Sequence, residues 1–231
     1  MMKSVSKVGG GIELYLRKIF GLMTAAVIVT ALTTFVMLAT GAFTALIGNG
    51  GLSALYYIIV FGGLGFSLWA QMRMFSMSHT AAKLSLFLYS IVMGIVITPM
   101  ILVSSPMSII MALFLAAIMF ACMALFGYKT AKDLSFLGTF LFMGMIGLII
   151  VGILPAIFGS FGVVFNQIVC LIGVLVFALF AAYDMQNLKN LYYAIGNGQQ
   201  KDQLAVLGAL HMYISFVAIF QYLLGFLESR N

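Results

Sequence analysis

The sequence predicts an all-α integral membrane protein with a bundle of seven transmembrane helices, and three observations carry that prediction. First, 64% of the 231 residues are hydrophobic and 7% are charged, at a mean hydropathy of +1.20. A soluble domain of this length cannot hide so much apolar side chain from water. Second, the apolar residues fall into seven stretches, 20–47, 54–72, 84–104, 107–127, 135–157, 163–183 and 204–227. Each is close to the roughly 20 residues that cross a bilayer as a helix. Third, ten of the eleven Lys and Arg residues sit in alternate gaps between these stretches. Lys3, Lys7, Arg17 and Lys18 precede the first stretch, and Arg73 and Lys83 flank the gap between the second and third. Lys129 and Lys132 lie between the fourth and fifth, Lys189 and Lys201 between the sixth and seventh. The gaps 48–53, 104–108 and 158–163 carry no charge. Cytoplasmic loops retain Lys and Arg, so the pattern threads the chain back and forth with its N-terminus in the cytoplasm. Only Arg230, two residues after Glu228, stands outside the pattern.

Taken in order, residues 1–19 read as a short, basic, partly amphipathic cytoplasmic segment, and the apolar run behind them is too long for a cleavable signal. Residues 20–227 form one transmembrane domain, and 228–231 a tail. The first helix opens after Leu16-Arg17-Lys18. In the second, Gly62, Gly63 and Gly65 permit close helix approach. Pro99 in the third removes an N–H and frees a carbonyl that neighbouring groups, not lipid, have to satisfy. Pro106 marks the turn into the fourth. Gly138, Gly144, Gly147 and Gly152 in the fifth read as packing surfaces, with Pro155 near the outer end. Asn166 and Gln167 in the sixth either line a vestibule or bond across helices. An odd number of spans puts the C-terminus outside, as the 24 residues of 204–227 favour. A re-entrant last segment, for which Arg230 argues, would return it to the cytoplasm.

The net charge of +6 is spread over four short segments as topology requires, so it forms no nucleic-acid patch. Cys122 and Cys170 lie inside apolar helices, and neither a disulfide framework nor metal-ligand spacing is expected. There is no Walker-type loop, no G-x-S-x-G and no H-E-x-x-H. No enzymatic activity and no cofactor are expected. The Tyr183-Asp184 pair is of the kind found in intramembrane aspartyl proteases, but those need two carboxylates. Helix seven offers none before Glu228.

Of the five acids, Glu13, Asp202 and Glu228 read as solvated charges, and Asp133 as a cap or first-turn residue of helix five. Asp184 stands apart because it directly follows an apolar run. A carboxylate at or inside the membrane boundary is costly and commonly marks an ion pathway or proton relay. The alternative is an interfacial acid at a helix end. Arg73, ending the second stretch on the same side, is either its ion-pair partner or a topological anchor. Gly208, His211, Ser215, Ala218 and Tyr222 share one face of helix seven by their spacing, and that face should turn inward. His211 either senses pH or serves as a neutral interhelical hydrogen-bonder.

Three stretches together resemble the Bax-inhibitor-like family, the transmembrane Bax inhibitor motif proteins: residues Gly127 to Gly147, Tyr183-Asp-Met-Gln-Asn-Leu-Lys189, and Gly208 to Phe220. The resemblance runs from about Leu16 to Phe226 and is greatest to the bacterial inner-membrane branch. It implies a seven-helix bundle with the C-terminal helix central, and a calcium-permeable, pH-sensitive leak. In that picture paired aspartates on helices six and seven sense protons near the cytoplasmic end, and an Arg from helix two latches onto them. Asp184 takes the place of the helix-six aspartate, and Arg73 that of the latch. Ser215 departs from the pattern, standing where the family carries the second aspartate. Asp184 is thus the one carboxylate left to meet a calcium ion. The resemblance also implies a different reading, a non-conducting regulator of stress or of a membrane-anchored quality-control protease. The expected partners are therefore membrane lipid, calcium or another cation, and such a protease.

Overall fold

The computed structural model describes residues 2–48, 51–73, 77–158, 161–195 and 199–230. Seven α-helices follow in chain order: α1 Met2–Thr40, α2 Ala54–Arg73, α3 His79–Val103, α4 Pro106–Lys129, α5 Ser135–Phe158, α6 Val163–Ala194 and α7 Gln199–Glu228. Between α1 and α2 lie a 3-10 helix, Ala42–Leu46, and a minimal antiparallel hairpin of β1 Ile47–Gly48 with β2 Gly51–Leu52. Ile47 pairs with Leu52 and Gly48 with Gly51. Six helices are long and apolar enough to cross a membrane: Gly11–Thr40, His79–Val103, Pro106–Lys129, Ser135–Leu154, Val163–Ala194 and Lys201–Glu228. In α2 the apolar stretch among the described residues is Ala54–Ser67, short of the roughly 20 that a crossing needs. Among the described residues seven helices are present, and six of them qualify as spans.

The chain divides into two compact units, Met1–Val103 with Asn190–Tyr213, and Ser104–Lys189 with Ile214–Asn231. In the first, α1 does not wait for residue 20. It buries Ile12, Tyr15, Ile19, Met23, Ala26, Thr30 and Thr34, a continuous seam at steps of three and four residues that keeps one face on its neighbours. Glu13, Arg17 and Lys18 fall off that seam, which is why the basic segment and the apolar span form one helix. Gly41, at φ +70°, ends the seam in a left-handed turn that its missing Cβ permits.

Helix α1 docks on α3 through hydroxyls. Thr34 Oγ1 donates to Gly94 O at 2.9 Å and Thr30 Oγ1 to Ser90 O at 3.1 Å. A Cβ on Gly94 would lie 2.6 Å from Thr33 Cβ, so glycine is what lets the two backbones close. Carbonyls in the turn before Pro99 are taken up by side chains: Gly94 O also accepts from Thr98 at 2.7 Å, and Val96 O from Tyr56 at 3.2 Å. Tyr213 of α7 is fully buried, its hydroxyl 2.6 Å from Thr30 Oγ1. At the start of α7, Asp202 pairs with Lys18, and Gln203 Nε2 donates to Met77 O.

In the second unit, α4 opens on a Ser105 cap that accepts from Ser108 N at 3.1 Å, with Pro106 at the first helical position. Leu141, Leu148 and Val176 form a core on which Phe177, Phe180 and Tyr222 pack. Gly173 accommodates the Tyr222 ring, since a Cβ there would meet it at 2.6 Å. Glu228, expected as a solvated charge, accepts from Ser105 N at 3.1 Å, and Gln167 Nε2 donates to Ser229 O at 3.2 Å. These bonds place the end of α7 beside the uncharged gaps that precede α4 and α6. The 30 residues of α7 are long and apolar enough to cross a membrane. Gln167 bonds across helices, and Asn166 is exposed.

Helix α7 is unlike the others. Its span is 83% buried, against 11–33% for the other five. Its neighbours turn large apolar side chains outward, Phe136, Phe140 and Met143 of α5 among them, as lipid-facing helices do.

Candidate functional site

Asp184 does not end a helix. Helix α6 continues past it to Ala194, and the side chain is 9% exposed. Small neighbours on α6, Ala181 and Ala182, let other helices come near. From α7, Ser215 Oγ donates to Asp184 Oδ2 at 3.5 Å, the long limit of a hydrogen bond. Ser215 itself is 2% exposed. The second unit thus brings together two of the four residues singled out in the sequence, an acid and a hydroxyl, away from water. Arg73 and His211 belong to the first unit. Arg73 closes α2, where a cation suits the helix dipole, and His211 is half-buried on α7.

The opposite face of α6 makes short hydrogen bonds. Gln186 Oε1 accepts from Leu134 N at 2.8 Å, and its Nε2 donates to Lys132 O at 2.7 Å. One turn on, Lys189 Nζ donates to Tyr128 O at 2.8 Å and sits 5.2 Å from the centre of the Tyr128 ring. Both α4 and α5 reach α6 through glycine: a Cβ on Gly127 would lie 2.0 Å from Ala182 O, and one on Gly138 would lie 2.8 Å from the Tyr183 hydroxyl. The first two motif stretches, separated by dozens of residues in the sequence, are therefore one packed structure. Gln186, Lys189 and Gly127 all lie within those stretches. Their side-chain types alone signal nothing, because a polar residue on a helix bonds to whatever the fold brings near.

The connection between α4 and α5 ends in an Asx turn, in which Asp133 Oδ1 accepts from Ser135 N at 2.9 Å. The Ser135 hydroxyl and backbone N–H together hold this carboxylate below its ordinary range. Because the folded value is depressed, the contribution is present above the unfolded pKa and is lost as pH falls through the folded one. The thermal midpoint of Asp133→Ala should therefore lie below that of the wild type at neutral pH. The gap should close once the pH is well under about 4, the ordinary aspartate pKa. A gap that persists in acid would rule this role out.

Among the described residues no group of three or more His, Cys, Asp or Glu side chains is placed to hold a metal ion. What the fold and site define is an integral membrane protein of α-helices with an acid buried among them. The chain belongs to the family Bax1-I, inhibitor of apoptosis-promoting Bax1, whose model matches residues 12–231. An uncharacterized protein of Rickettsia prowazekii is 30% identical over 96% of this chain and 92% of its own length. The inner membrane protein YbhL of Escherichia coli is 29% identical over 99% of this chain and 97% of its own. An uncharacterized protein of Caulobacter vibrioides reaches 35% over 76% of this chain and 70% of its own. With its apolar helices and its likeness to YbhL, this is an integral inner-membrane protein.

Proposed function

We propose that this protein is a pH-sensitive leak pathway for cations, calcium among them, gated at the cytoplasmic end by a latch between Asp184 and Arg73. The observation that carries the proposal is the 9% exposure of Asp184 inside a helix of a membrane protein, with a serine hydroxyl at 3.5 Å. An ionisable group in such a place is expensive and is retained where it has work to do. In this reading α2 is the seventh crossing and the N-terminus is cytoplasmic, so Arg73 and the inner end of α6 lie on the same side of the membrane. Ionised Asp184 holds Arg73 and closes the path; protonation releases it.

The test is cation flux from proteoliposomes across pH. Asp184→Asn should raise flux at neutral pH roughly tenfold, as losing about 1.4 kcal/mol of closed-state stabilisation does, and flatten the pH profile. Arg73→Gln should do the same. Unchanged flux and pH dependence in Asp184→Asn would discard the latch. A profile that survives Asp184→Asn and vanishes in His211→Gln would move the sensor to α7.

One observation favours a second reading. Ser215 leaves a divalent ion one charged oxygen where hard cations take several. On that reading the chain does not conduct and regulates a membrane-anchored quality-control protease through its basic loops. Flux absent at every pH, together with recovery of such a protease from native membranes in mild detergent, would select it.

A further inference from the structure

Helix α6 makes short bonds on one face and carries Asp184 on the other. Asp184 touches Ser215 at 3.5 Å, whereas Gln186 and Lys189 make bonds of 2.7–2.8 Å to the backbone of α4 and of the α4–α5 connection. Residues 182, 186 and 189 share a face by helical spacing, and 184 lies roughly opposite them. The Gln186 side chain is 9% exposed and uses both ends of its amide on groups two residues apart, Lys132 O and Leu134 N. Leu134 is itself buried, so breaking its bond to Gln186 leaves a donor without water to replace it. A contact at the hydrogen-bond limit is made or lost by a small displacement of the helix that carries it. A shift at the back of α6 is therefore carried to its front.

We propose that Gln186 is the positioning residue of the Asp184 site. It clamps the α4–α5 connection against α6 and so sets the separation of Asp184 from Ser215. The link to gating rests on the proposed leak function; the positioning itself does not.

The experiment reads the position directly, in full-length protein in liposomes with Cys122→Ala and Cys170→Ala as background. Disulfide formation between residues 184 and 215, each replaced by cysteine, reports the site. Disulfide formation between residues 173 and 222, likewise replaced, reports the same two helices far from it. Adding Gln186→Met should slow the 184–215 crosslink about fivefold, the factor to which about 1 kcal/mol of lost hydrogen bonding corresponds. It should also speed amide exchange at Leu134 and leave the 173–222 crosslink unchanged. Gln186→Glu keeps the acceptor for Leu134 N and loses only the donor to Lys132 O, so its crosslinking rate should fall between the two. Equal slowing of both crosslinks means general loosening and overturns the proposal. So does faster Leu134 exchange with an unchanged 184–215 rate. In the same liposomes a wild type without pH-dependent flux would defeat the leak reading, while the crosslinking rates still decide the role of Gln186.

Discussion

Replacing Gly127 by alanine should destabilise the protein more than the same change at Gly138 or Gly147. The new Cβ would stand 2.0 Å from Ala182 O, 2.7 Å from Ala182 C and 2.8 Å from Ala182 Cα. All three are backbone atoms of α6, so no rotamer change relieves the contact and the two helices have to part. Overpacking of this kind costs about 1–3 kcal/mol, set against a total stability of about 5–15 kcal/mol. It outweighs the gain of up to about 1 kcal/mol that glycine-to-alanine brings in a helix. Gly138→Ala should cost less, because the atom nearest its Cβ is the Tyr183 hydroxyl at the end of a side chain that can turn. Gly147→Ala, with nothing within 4 Å, should be neutral or slightly stabilising. Thermal midpoints in one detergent give the ranking, and a Gly127→Ala midpoint equal to that of Gly147→Ala would refute the backbone contact.

An acid at position 215, where the family resemblance implies one, should have a larger effect still. In Ser215→Asp a carboxylate replaces a 2% exposed hydroxyl that lies 3.5 Å from Asp184 Oδ2. Two carboxylates that close cannot both ionise without a counter-charge, and an uncompensated buried charge costs about 3–5 kcal/mol. The variant should melt well below the wild type at neutral pH in chelator. Acid should restore it by supplying a proton, and millimolar calcium by supplying an ion that gains oxygen ligands. The wild type, with a single carboxylate, should show no comparable calcium effect. A variant whose midpoint ignores both pH and calcium would mean that the two side chains do not face each other. If calcium flux rises along with calcium stabilisation, this chain has lost a divalent site by the substitution; if flux stays flat, the site is not on a conduction path.

Much of the architecture is legible in the sequence, for a physical reason. Transfer of an apolar side chain or a charge into lipid has a free energy that depends on that residue and on little else. The helices, the uncharged gaps and the singular position of Asp184 can therefore be read residue by residue, whereas the Ser215 departure is read only from the family resemblance. Helix ends are less legible. The sixth apolar stretch stops at Tyr183, yet α6 runs to Ala194, because Met185, Gln186 and Leu188 beyond it are buried by protein. The first stretch starts at residue 20, yet the seam through Ile12, Tyr15 and Ile19 continues it backward.

Which groups meet across long separations in the chain is a matter of packing alone. That Lys18 pairs with Asp202, that Gln186 takes both Lys132 O and Leu134 N, and that Gly127 lies on the backbone of Ala182 follows from no local propensity. Each depends on helices packing at a distance that small residues allow. Residue-by-residue transfer into lipid is enough to specify an all-helical membrane chain with one misplaced acid. It takes the packed helices to put that acid inside α6, facing a serine, on a helix held from behind.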